Sequence, residues 1–257
     1  MNRFRADLHV HTVLSPCAEV EMIPPLIVQA ALEKQIDLIA ITDHNASANV
    51  EAVQSAAKGT GLTILPGMEV QSREDVHLLT LFDQLDVLNA WQREVDQALP
   101  DKLNNAEFFG EQYIVDETGE FIRSEPRLLL TSTAFSIDEI FERVHALGGI
   151  VIPAHVERTS YGLFPSLGLI SETWQVSALE ISRHSTPETM AAAFPAVRKY
   201  PLIQSGDVHR LDEFLGTTVF TLASRSLLEV RMAFKHMEGR EVCIETNSYS
   251  LNVPRFI

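Results

Sequence analysis

The chain has 257 residues, 46% of them hydrophobic, and a formal net charge of −15. The length allows one large α/β domain with a sizeable core, and no apolar run approaches the roughly 18 residues that a membrane-spanning helix needs. An excess of 35 acidic over 20 basic residues, with no Lys/Arg cluster, argues against duplex binding, which requires a basic stripe on the phosphates.

The first residues carry no apolar signal-like core, so a cytoplasmic location is expected. Two cysteines, Cys17 and Cys243, form no disulfide framework. The acidic balance leaves room for a positive pocket, because two or three divalent ions would place about four to six charges at one spot.

Along the chain, short apolar runs alternate with helix-like stretches. Strands are predicted at Ala6–Val10, Asp37–Thr42, Leu62–Pro66, His77–Phe82, Gly149–Pro153, Ala178–Ser182 and Leu202–Ser205. Near-continuous apolar runs suit a parallel sheet covered by helices. Pro24 and Pro25 open a helix over Leu26–Lys34, and Asn45 can cap another near Ser47–Lys58. Ser136-Ile137-Asp138-Glu139 is a capping box for a helix to Leu147, closed by Gly148-Gly149, and Thr186-Pro187 starts one over Glu188–Val197.

Between two helices, residues 100–133 break the pattern. There Tyr113-Ile114-Val115 and Glu120-Phe121-Ile122 flank Asp116-Glu117-Thr118-Gly119, which predicts a β-hairpin insertion. The C-terminal part, 224–257, holds a helix over Leu227–Met237 and then Val242-Cys243-Ile244, which suits barrel wall, a final strand or an oligomer contact. Seven β/α units make a closed or nearly closed barrel over 1–257 the expected architecture.

Six of the nine histidines sit at the ends of these runs, joined by carboxylates. The sites are Asp7-Leu8-His9-Val10-His11, Asp43-His44, Glu69, His77, His155 and Asp207-Val208-His209. Imidazole and carboxylate are preferred ligands of zinc, manganese and iron. His9 and His11, two apart on a strand, point to one face. Glu69 leaves a buried strand and needs a partner, a metal or a salt bridge. Every candidate ends a strand, where barrel sites are built, except His77, which begins one. His145 and His236 sit near helix C-termini, where the dipole suits them, so both read as structural or solvated. His184, past a strand end, is a candidate substrate contact.

Taken in order, Asp7-Leu8-His9-Val10-His11-Thr12, Ile41-Thr42-Asp43-His44-Asn45, Gly67-Met68-Glu69, Pro153-Ala154-His155 and Gly206-Asp207-Val208-His209 resemble the ordered motifs of the PHP (polymerase and histidinol phosphatase) family. The resemblance implies a distorted (β/α)7 TIM-like barrel with two to three divalent metal ions on its C-terminal rim. It implies that His9, His11, Glu69 and Asp207 hold one ion. Glu69 would bridge to a second with His77 and His155, and His44 and His209 would hold a third. Where many members place a histidine or aspartate for the third ion, this chain reads Ser15-Pro16-Cys17-Ala18-Glu19-Val20-Glu21. Cys17 is thus a candidate ligand favouring zinc or iron, or else a free cysteine, with Glu19 and Glu21 as competitors.

The implied activity is hydrolysis of a small phosphorylated substrate, a phosphomonoester or a nucleotide or short oligonucleotide end, by metal-activated hydroxide. Asp43, Arg158 and Arg183 are the candidate catalytic residues, and Arg158, Arg183 and His184 the candidate phosphate contacts. Either arginine can instead be a surface ion pair. Amidohydrolase-type C–N hydrolysis and a non-catalytic metal-binding barrel are the competing readings. No membrane partner is expected, and an oligomer is compatible with the sequence.

Overall fold

A computed structural model of the chain describes residues 1–245. Its largest sheet has seven strands in the order β11-β10-β1-β2-β3-β4-β7. These are β1 (Asn2–Val10), β2 (Leu38–Ile41), β3 (Thr63–Gln71), β4 (His77–Leu81), β7 (Ile150–Pro153), β10 (Thr218–Leu222) and β11 (Glu241–Ile244). A second parallel pair, β8 (Leu179–Ile181) and β9 (Leu202–Gln204), follows β7 in the chain. The curled sheet is that of a distorted TIM-like barrel.

Contrary to the parallel sheet that their apolar runs predict, the strands are not all parallel. β1, β2 and β3 are mutually parallel, but β4 runs antiparallel to both β3 and β7. The reason is covalent reach. Residues 72–76 alone join β3 to β4, whereas a parallel crossover needs a dozen residues or more. Reversal also explains why His77 begins its strand: the start of β4 lies on the rim where β1, β2 and β3 end. β10 and β11 add two further antiparallel strands beside β1, so Val242-Cys243-Ile244 is a strand. Residues 246–257 of the expected tail lie outside the described residues.

Alternate residues of β2 feed two apolar clusters. Leu38 and Ala40 join Leu8, Leu65, Ile152 and Phe220, while Ile39 and Ile41 join Met68, Val151 and the helix faces. Each such side chain contributes about 1.5–3 kcal/mol on burial. The helix faces come from α1 (Pro24–Glu33), α2 (Val50–Ala56), α3 (Leu85–Ala98) and α5 (Ile137–Ala146), through Ile27, Val53, Trp91 and Ile140. The Ser136–Glu139 capping box forms at α5 as its sequence dictates. The helix begun at Pro187 stops at Ala193, and a 3-10 turn starts at Pro195, which lacks the N–H that would continue it.

The insertion holds a short helix, α4 (Ala106–Phe109), and the expected hairpin of β5 (Tyr113–Val115) and β6 (Phe121–Ser124), with Gly119 at φ +87°. Asn49 ties it down: its amide donates to the Tyr113 carbonyl and accepts from the Val115 N–H. Gly110 lies so close to the Pro16 carbonyl that a Cβ there would stand 2.2 Å from the oxygen. The loop carrying Cys17 and the insertion are therefore in direct contact.

Candidate metal centre

The rim is stitched together by backbone hydrogen bonds that act as strand extensions. The lower half of β1 pairs with β10, but its upper end pairs with the segment after β9: His11 N donates to Val208 O, and Val208 N to His9 O. This brings Asp207 and His209 against His9 and His11. Likewise Asn45 N donates to Glu69 O and Glu69 N to Asp43 O, which sets His44 beside Glu69. Asn45, His155, Tyr161 and Asp207 all have positive φ, from 30° to 62°. Such backbone is costly for residues with a side chain and clusters at functional sites.

Six histidines and two carboxylates converge. Glu69 Oε1 lies 2.8 Å from His77 Nδ1, 3.2 Å from His9 Nε2 and 3.3 Å from His155 Nε2. Glu69 Oε2 lies 2.9 Å from His44 Nδ1 and 3.4 Å from His11 Nε2. Asp207 Oδ1 is 3.3–3.4 Å from Nε2 of His9 and of His11. Donor atoms about 2.1 Å from a shared ion lie about 3.0–3.4 Å apart, so the 3.2–3.4 Å spacings match a common coordination sphere, and the His77 and His44 contacts are slightly shorter. Among the described residues, three donor sets fall within 4.8 Å: His9 with His11 and Glu69, His44 with Glu69 and His77, and His11 with His44 and His209. His44 therefore lies between the second and third sets, and His11 joins the third.

Several of these atoms are buried with no aligned hydrogen-bond partner: His9 Nε2, His11 Nε2, Glu69 Oε2, both ring nitrogens of His77 and His155 Nδ1. Orphaned polar atoms of this kind cost about 1–3 kcal/mol each. Three of them, His9 Nε2, His11 Nε2 and His77 Nδ1, sit 2.8–3.4 Å from oxygens of Glu69 but are misaligned for hydrogen bonding, as donors sharing a cation are. The residues fit two or three divalent ions.

The ring orientations are fixed from behind. His9 Nδ1 donates to Glu180 Oε1 at 2.9 Å, which aims Nε2 at the cluster; Glu180 also accepts from the His155 N–H. His11 Nδ1 donates to Ser15 Oγ, which in turn donates to Asp43 Oδ1. His209 Nδ1 donates to the Asp207 carbonyl. Such outer partners set the tautomer and basicity of metal-binding histidines. Sequence reasoning missed Glu180. Its signal was an isolated carboxylate inside the apolar run Ala178–Ser182. Asp43, expected to be catalytic, is fully buried and accepts from Thr12 N, Thr12 Oγ1 and Ser15 Oγ. That places it behind His11 as a positioning group, outside the cavity lining.

Burial and crowding set the charges. Burial opposes charge on both His9 and His44, but Glu69 beside each, with Glu180 beside His9, raises them well above the usual imidazole value. Burial lowers His11, aided by the neighbouring His209 and His44, and holds His77 at about 4. Glu69 and Asp207 stay ionised despite burial, because the surrounding imidazoles hold them well below the carboxylate range. Asp7, by contrast, is pushed to about 7 by burial, although the Gly206 and Leu215 N–H groups bind it.

Two cavities meet at the cluster. One, of about 300 Å³, is lined by His44, His77 and Tyr161 and by Phe109 and Leu130 of the insertion, so the insertion covers one side of the site. The other, of about 510 Å³, is lined by Arg158, Arg183, His184 and Arg210. Cys17, His155, Arg158, Asp207 and His209 line both. Arg158 is bonded to Asp207, and Arg183 to the Gly206 carbonyl and Glu213. Tyr161 stacks on His77 with centroids 4.4 Å apart. Burial pushes the Cys17 thiol up, but His44 and His209 prevail and hold it at about 6. Glu19 instead pairs with Arg210, and Glu21 is exposed.

Comparison with known proteins places this geometry. The PHP domain profile matches residues 7–178. The chain is 28% identical over 93 residues to the 5'-3' exoribonuclease Rnm of Salmonella typhimurium, a match covering 34% of this chain and 30% of that protein. The fold is that of the lesion-specific endonuclease EndoQ from Pyrococcus furiosus, with a TM-score of 0.74 and 19% identity over 94% of this chain and 58% of that one. An amidohydrolase from Chromobacterium violaceum also shares the fold, with a TM-score of 0.57 and 19% identity over 95% of this chain and 99% of that one. The chain spans less than two thirds of the length of the exoribonuclease and of EndoQ. An Endonuclease Q structure holds a 27-mer duplex with an abasic lesion at its active site. The expectation of no duplex binding, drawn from charge, therefore finds no support in the comparisons.

Proposed function

The chain belongs to the PHP domain family, and from that premise we propose that it is a metal-dependent hydrolase of phosphoester bonds. Its substrate is a nucleotide or an oligonucleotide end. The observation that most supports this reading is the set of buried, unpartnered imidazole nitrogens turned on Glu69 and Asp207. His9, His11, His44, Glu69, His77, His155, Asp207 and His209 would hold two or three ions. When bound, such ions polarise a phosphoryl oxygen and acidify water.

The remaining steps belong to side chains. Arg158 and Arg183 line the larger cavity beside Asp207 and bind phosphate oxygens, and His184 on the same wall adds a donor. Tyr161 and Phe109 wall the smaller cavity and exclude water from one side of the phosphate. A flat nucleobase suits this wall, since base–aromatic stacking contributes about 1–3 kcal/mol. The rest of a strand leaves over the arginines. Duplex ends are also admissible.

The test is elemental analysis of protein purified without chelator, with His9→Ala/His11→Ala as control. Both samples are assayed on p-nitrophenyl phosphate, its bis ester and short oligonucleotides. Two or three metals per chain, lost in the double variant together with hydrolysis, is the expected result. Absence of metal and activity after addition of Mn2+ or Zn2+ would reject the reading and favour a non-catalytic barrel.

A further inference from the structure

The histidine cluster lies where β7 and β9 end. Another cavity, of about 330 Å³, opens where β7, β8 and β9 begin. Ile150 lines it at the start of β7, and His155 lies just past the end of that strand, roughly 16 Å away at the rise of a strand. The two sites therefore sit at opposite ends of the barrel.

The walls of this cavity are basic, in a chain with fifteen more negative than positive charges. Lys199, Arg231, Lys235 and His145 line it, and among the described residues no carboxylate does. Cations at helix C-termini suit the dipole, and that accounts for part of the cluster: Arg231 NH2 donates to the carbonyls of Gly148 and Gly149, just past α5. Among the described residues, Arg231 Nε and NH1, both lysine ammonium groups and the Tyr200 hydroxyl have no such partner. Burial lowers His145, and Arg231 lowers it further, with no carboxylate acting against them. The cavity thus keeps an uncompensated positive charge.

The floor differs in kind. Ile150, Val176, Pro201 and Phe234 form an apolar face beside the Tyr200 ring. A bare inorganic anion uses none of that face, whereas a flat ring carrying a phosphate uses both halves. A phosphate monoester carries about 1.5–2 negative charges near neutrality, and bases stack on aromatic rings. The volume of about 330 Å³ falls at the small end of the roughly 300–1,000 Å³ typical of small-molecule sites.

We propose that this cavity is a second, metal-independent site that binds a nucleoside monophosphate, with Lys199, Arg231 and Lys235 on the phosphate and the base against Tyr200 and Phe234. It uses none of the metal-binding residues, so it stands apart from the hydrolase reading.

The probe is adenosine monophosphate, titrated calorimetrically into metal-free full-length protein. Four forms are compared: wild type, Lys199→Glu/Lys235→Glu, the charge-matched control Lys34→Glu/Lys58→Glu, and Arg158→Ala/Arg183→Ala, which removes the arginines of the metal rim. All four lysines are exposed. Wild type, the control and the rim variant should share one binding event that Lys199→Glu/Lys235→Glu weakens about tenfold or more. Adenosine and inorganic phosphate should each bind wild type at least about tenfold more weakly than the nucleotide. Hydrogen exchange should slow on binding at residues 175–177 and in the helix Leu227–Phe234. Zn2+-loaded Lys199→Glu/Lys235→Glu should hydrolyse p-nitrophenyl phosphate as wild type does, which also shows that it folds. No binding by wild type, binding that is lost only in the rim variant, or phosphate or adenosine bound as tightly as the nucleotide would overturn the proposal and leave the hydrolase reading standing.

Discussion

Glu180 holds His9 from behind, and its effect on the site exceeds what its distance from solvent suggests. Its Oε1 takes both His9 Nδ1 and the His155 N–H, so one oxygen orients one ring and anchors the backbone of a second. Glu180→Ala removes both contacts. Metal affinity should fall about 10–100-fold, as for outer-shell partners generally, and Glu180→Gln, which keeps an acceptor, should lose much less. Competition against a chromophoric chelator measures both variants. Equal affinity for Glu180→Ala and wild type would remove Glu180 from the site. Asp43 shows the same logic one step further out, reaching His11 through Ser15. A carboxylate beside a histidine motif in sequence is not thereby in the cavity; here Thr12 and Ser15 occupy its oxygens.

At the scale of elements, the insertion and the loop after β1 behave as one unit. Gly110, at φ +99°, meets the Pro16 carbonyl with no room for a side chain. Gly110→Ala combines left-handed backbone with a steric clash, and destabilisation of about 1–3 kcal/mol is expected. Because Ser15, which holds His11, precedes Pro16, the same substitution should loosen the donor set of His11, His44 and His209 while leaving the His9 side of the cluster intact. Denaturant unfolding reports the first effect, and metal stoichiometry the second; unchanged stability would show that the contact yields easily. Much at this scale was legible from residue order. The strands bearing ligands, the Ser136 capping box and the hairpin around Gly119 all follow local rules. The reversal of β4 was not read, because apolar alternation carries no direction, and only the shortness of the 72–76 connection encodes it. β10 was not read either, since Thr218 and Thr221 interrupt its apolar run. The contacts of Glu180 and of Phe109 with the site join residues far apart in the chain, and nothing local to either specifies them.

For the whole molecule, the cluster sets conflicting electrostatic demands. No helix among the described residues is long and apolar enough to cross a membrane, and the chain carries fifteen more formal negative than positive charges. Yet its rim gathers six imidazoles on two carboxylates. In the metal-free chain His9 and His44 are raised above the ordinary imidazole value of 6.5. They therefore contribute stability below that value, which is lost as pH rises through their folded values. Metal requires neutral imidazole, so loading releases those protons. His77, held at about 4, and His11, held low, release none near neutrality. Stabilisation by Zn2+ should thus be greater at pH 8 than at pH 6. At a free concentration a hundredfold above Kd it amounts to about 2.7 kcal/mol, a shift of roughly 5–10 °C in a chain of this size. Thermal unfolding of chelated and Zn2+-loaded protein at both pH values measures it. An increment independent of pH would mean that His9 and His44 are already neutral, and that the carboxylates alone carry the attraction for the ions.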